Sequence, residues 1–134
     1  MPFEIFDTSK LKIQPLSERI HDADLMEVLI PVDSTPPTLD NDKTRAVASA
    51  MVEAKQVNAT TLLMYGAHVI RSGCSPYMIE LMRRGLVKHF ATNGAGSIHD
   101  FEFSLIGKTC ESVAKYISEG QFGLWHETGI MNDI

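Results

Sequence analysis

The sequence predicts an α/β domain built on a parallel sheet with flanking helices. Three observations predict it. Two short apolar runs, residues 60–65 and 87–92, each lead into a glycine-containing segment. A stretch of helical periodicity separates them, as in a βαβ unit. The second run ends in Thr92-Asn93-Gly94-Ala95-Gly96, a strand-to-helix turn that lets another group approach the backbone.

Residues 1–43 show weak periodicity and read as an irregular N-terminal segment. Ser34-Thr35-Pro36-Pro37-Thr38 reads as a loop, because consecutive prolines fix φ and remove donors. Ala46, Val47, Ala50, Met51 and Ala54 recur at helical spacing. They predict a helix over 43–56 behind an Asp42 cap, with a narrow small-residue face against the sheet. Residues 60–65 are nearly continuous apolar sequence, the pattern of a strand buried on both faces. Residues 66–73 connect it to a helix that Ser75 caps and Pro76 opens. Gly85 ends that helix. After the strand at 87–92, a helix opens at Ser97, runs over 98–106 and closes at Gly107. A further helix is expected over 109–118, ending at Gly120.

The whole of 1–134 fits one domain, with its nucleotide-binding βα units in 44–126. Only two strands are convincing, and so small a parallel sheet has unprotected edges. The chain is therefore expected to be part of a longer protein, or to complete its sheet with its early residues and a partner.

Hydrophobic residues make up 44% and charged residues 22% of the chain, an ordinary globular balance, and the net charge is −5. An acidic chain without basic runs argues against nucleic acid as a partner. No apolar run approaches a membrane span, and the N-terminus lacks a signal-peptide layout, so a cytoplasmic protein without membrane contact is expected. Cys74 and Cys110 lie far apart and form no CxxC, which fits a reducing compartment.

The chemistry centres on residues 92–100. A helix that starts after the glycines aims free N–H groups and its positive dipole end at the turn, where a pyrophosphate or carboxylate can bind. The same spacing also serves a βα turn with no ligand. Ser97 and Asp100 stand in capping-box relation, so Asp100 has a purely structural alternative. His68 and His99 both follow predicted strands and are expected at one sheet edge, where open α/β sheets bind ligands. Metal binding by His68, His99 and Asp100 is a weaker option, lacking HxH or HExxH spacing. Phe101, Phe103, Phe122 and Trp125 read as core or interface, with Trp125 packing on something outside the chain.

Two blocks together resemble the deoxyhypusine synthase family, nearest its bacterial deoxyhypusine synthase-like branch. They are Tyr65-Gly66-Ala67-His68-Val69-Ile70-Arg71-Ser72-Gly73 and Thr92-Asn93-Gly94-Ala95-Gly96-Ser97-Ile98-His99-Asp100. Pro15-Leu16-Ser17-Glu18-Arg19 is a weaker echo. The resemblance implies a modified Rossmann-type fold that binds NAD. It implies a transferase that moves an aminobutyl group from spermidine, or a related polyamine, to a protein lysine or a small amine. It also implies a homotetramer, a dimer of dimers. His68, Ser72, Thr92, Asn93, Gly94, Ala95 and Gly96 fall on its cofactor-contacting positions. His99 and Asp100 fall on its catalytic positions beside the cofactor and amine. The family's catalytic lysine has no counterpart here, so this chain alone is expected to be inactive. The alternative expectation is a non-enzymatic α/β oligomerisation module or a truncated, inactive family member.

Overall fold

The computed structural model of the chain describes residues 3–35 and 41–133. Of the expected 34–38 loop, Pro36, Pro37 and Thr38 lie outside the described residues. Ser34 is described, and its backbone N–H donates to Pro31 O at 3.1 Å.

Strands β2 (Leu62–Tyr65) and β3 (His89–Thr92) pair in parallel, Leu62 opposite His89 and Tyr65 opposite Thr92. The βαβ reading holds, with strands two residues shorter at their starts than their apolar runs. Between them run α3 (Ala67–Arg71) and α4 (Ser75–Arg83). Cys74, not Ser75, caps α4, so Ser75 and Pro76 occupy its first turn. The two faces of β2 differ. Leu63 and Tyr65 pack onto the core, whereas Leu62 and Met64 are exposed. The strand is therefore not buried on both faces, as its apolar run predicted.

Helix α2 (Asp42–Gln56) departs similarly from expectation. Its cap is Asn41, whose side chain accepts from the Lys43 N–H, and none of its residues is buried. Val47 and Val52 face solvent, so the small-residue face does not cover the sheet.

Helix α5 (Gly94–Ile106) begins three residues earlier than expected. Asn93 is its cap, and the Asn93 side chain accepts the Gly96 N–H at 3.0 Å. Ser97 therefore lies inside the helix, and the Ser97–Asp100 capping box does not form. Gly107 closes α5 at φ +68°, as its position predicted.

The expected helix over 109–118 is instead a strand followed by a shorter helix. Strand β4 (Lys108–Glu111) pairs antiparallel with β1 (His21–Asp24), which lies in the segment read as irregular. Helix α6 (Val113–Ser118) then leads to α7 (His126–Gly129). A short helix, α1 (Leu25–Val28), follows β1 directly. It docks where Gly73 adopts φ +78°, and a Cβ there would sit 1.9 Å from Val28 O.

Two apolar clusters hold these elements. Ile70, Met78 and Phe103 fill the space between α3, α4 and α5. Leu16, Tyr116 and Trp125 form the other, with Tyr116 and Trp125 edge to face at 4.9 Å. Trp125 thus packs inside the chain, and its partner is the early segment. Gln14 forms an isolated parallel bridge with Trp125, and the Leu16 N–H donates to Glu127 Oε2 at 2.6 Å.

Candidate functional site

The turns after β2 and β3 meet at one edge. An added Cβ at Gly66 would lie 3.9 Å from Asn93 Nδ2. The two glycines of the second turn have different reasons to be glycine. At Gly96 a Cβ would fall 2.1 Å from Thr92 Oγ1, so the seat of α5 on β3 excludes a side chain. At Gly94 a Cβ would meet nothing within 4 Å. Its φ is not positive, and the fold makes no demand for glycine there. Gly96 N–H is taken by Asn93, and among the described residues Gly94 N–H and Ala95 N–H have no acceptor.

Beside this edge lies a cavity of about 830 Å³. Ser72, Ala95 and His99 line it, so three of the sequence-predicted residues share one space. His68 is exposed on α3 and is not part of the lining, although its charge acts on His99. Thr92, Asn93 and Gly94 lie exposed at the turn, outside the lining, and Gly96 is buried beneath it. Asp100 is exposed and lies outside the lining. It sits about 100° further round α5 than His99, as helix geometry requires. Among the described residues no group of three or more His, Cys, Asp or Glu side chains is placed to hold a metal.

The cavity wall contains a buried polar network that sequence reasoning missed. Arg19 donates to both carboxylate oxygens of Glu102, at 2.8 and 2.6 Å, and both side chains are almost wholly buried. Thr128 donates to Oε1 at 2.8 Å and Thr109 to Oε2 at 2.6 Å. Thr109 Oγ1 then meets His99 Nδ1 at 2.7 Å. Burial pushes the Glu102 carboxyl up, but the hydrogen bonds from Arg19, Thr109 and Thr128 outweigh it and leave it below its ordinary value. Burial pulls His99 below the ordinary imidazole value, and Arg71, Arg19 and His68 add to that while Glu102 opposes it. Burial also pushes the Cys110 thiol up, so this cysteine stays protonated near neutral pH. Glu102 stands three residues after His99, on the same face of α5. Arg19 belongs to the 15–19 block already noted.

A family model described as arginine dihydrolase ArgZ-like, C-terminal, Rossmann fold matches residues 45–134, more than half of the chain. The chain belongs to this family. No curated protein and no solved structure matches it.

An ArgZ-like Rossmann domain corrects the resemblance to deoxyhypusine synthases, and the expectations of spermidine, polyamine and aminobutyl transfer fall with it. The physical reason lies in the two blocks. Asn93 caps α5, Gly96 lets α5 sit on Thr92, and Gly73 admits Val28. The first two are demands of βα geometry and the third is a close approach of α1, and none of them carries information about substrate. The Rossmann-like fold stands; the reaction drawn from it does not.

Proposed function

We propose that this ArgZ-like Rossmann domain binds NAD at the carboxyl edge of β2 and β3, as the cofactor module of an arginine dihydrolase-like protein. The observation that carries this reading is Gly94. Among the described residues its side-chain space is empty and its N–H and that of Ala95 have no acceptor, and its backbone conformation is open to other residues. A ligand that lays an anionic group against the backbone accounts for all three. The pyrophosphate of NAD meets that requirement at the α5 N-terminus. NAD, when bound, supplies a hydride acceptor. Ser72 and Ala95 line the adjoining cavity, which supports a reading in which a reacting molecule binds beside the cofactor.

Replacement of Gly94 separates ligand from fold. Gly94→Val puts bulk into the space that a ligand needs, at a position where an added Cβ meets nothing within 4 Å among the described residues. Calorimetric titration is expected to show NAD binding to the wild type and its loss in Gly94→Val, with the melting temperature unchanged. No heat at millimolar NAD in a folded wild-type sample, or equal affinity in the variant, removes the proposal.

A further inference from the structure

We propose that Thr109 and Glu102 hold His99 as its Nδ1–H tautomer, so that Nε2 is a fixed acceptor in the cavity for a small ligand presenting a hydroxyl or amine. The polarity of the network requires it. Arg19 can only donate, and the ionised Glu102 can only accept. The single proton of the Thr109 hydroxyl goes to Glu102 Oε2 at 2.6 Å. Thr109 has only lone pairs left for His99, so at 2.7 Å the proton between them belongs to Nδ1. Cys110 Sγ lies 3.9 Å from the same nitrogen and can accept only weakly. The neutral ring then carries its free lone pair on Nε2, which has no partner among the described residues. His99 lines the cavity, and Nδ1 is tied to a fully buried threonine, so Nε2 is the polar atom His99 offers to a ligand. An acceptor of this kind favours an O–H or N–H over a carbonyl. A histidine kept only for packing needs neither the threonine nor a particular tautomer.

The inference rests on the cavity wall and not on the cofactor, so failure of the NAD titration and failure of this test are separate results. Long-range proton–nitrogen NMR on imidazole-labelled full chain, above the lowered titration point of His99, reads the tautomer directly. The wild type and Thr109→Ser are expected to show a protonated Nδ1 and an unprotonated Nε2. Thr109→Val is expected to lose the Nδ1–H signature. Diethylpyrocarbonate, which acylates an accessible imidazole lone pair, is expected to label His99 readily in the wild type and Thr109→Ser, and several-fold more slowly in Thr109→Val, where a mixture of tautomers replaces the fixed Nε2 lone pair. A wild-type Nε2–H tautomer overturns the proposal whether or not Thr109→Val folds. So does a folded Thr109→Val with unchanged tautomer and labelling.

Discussion

At the scale of single residues, Arg19 and Glu102 dominate the energetics of the cavity wall. A buried ion pair adds little over a well-packed apolar pair, but breaking it leaves a buried charge uncompensated. Glu102→Gln is expected to cost about 3–5 kcal/mol in urea denaturation. The joint replacement Arg19→Met, Glu102→Met is expected to recover only part of that loss, because it removes both charges but leaves the Thr109 and Thr128 hydroxyls without their acceptor. A Glu102→Gln variant within about 0.5 kcal/mol of wild type contradicts the pairing, since that is the range of a featureless surface change. The same residues set a pH dependence. His99 sits below its unfolded value, so the unfolded chain takes up the proton first as pH falls. Its contribution is complete above about pH 6.5 and is lost as pH falls through the folded value. Glu102, also depressed, contributes fully above about pH 4.3 and loses that contribution as pH falls through its folded value. Urea midpoints are therefore expected to fall from neutral pH downward in two steps, with the upper step reduced in His99→Gln. A flat profile through the histidine range contradicts this account.

Elements differ in how far the sequence announced them. The β2–β3 unit and the glycine stops at Gly85, Gly107 and Gly120 were legible, because apolar runs and positive φ leave local marks. Strands β1 and β4 were not. His21-Asp22-Ala23-Asp24 and Lys108-Thr109-Cys110-Glu111 have no apolar alternation, and each becomes a strand only through the other, eighty-odd residues away. Periodicity in Val113, Ala114 and Ile117 drew the predicted helix back over β4. For α5 the glycines were read as a turn ahead of a helix opening at Ser97, although a glycine costs a helix only about 1 kcal/mol and Asn93 supplies a strong cap. The loop at Gly73 gives this scale its prediction. Gly73→Ala and Gly120→Ala both incur left-handed strain of about 1–3 kcal/mol, but only Gly73→Ala also meets the Val28 backbone. Gly73→Ala is expected to lower the urea midpoint further and to raise amide exchange across α1. Equal effects of the two variants contradict the close docking of α1.

At the scale of the whole molecule, residues 14–19 are tied to the late part of the chain. The early segment supplies Leu16 to the Trp125 cluster and Arg19 to the cavity, so the N-terminal residues build the candidate site. That explains why site prediction from sequence was partial. His99, Ser72 and Ala95 follow strands and could be placed by topology. Arg19, Thr109 and Thr128 reach Glu102 only through the tertiary fold. The match to an ArgZ-like C-terminal Rossmann fold covers Glu102, Thr109 and Thr128, while Arg19 lies before it. NAD is expected at the edge formed by Gly94 and Ala95. Amide chemical shifts of the labelled chain, followed through an NAD titration, test it at the residues concerned. The account predicts the largest saturable changes at Gly94 and Ala95, with smaller ones at Ser72. Unmoved Gly94 and Ala95 resonances at millimolar NAD, or saturable changes confined to another face, contradict it.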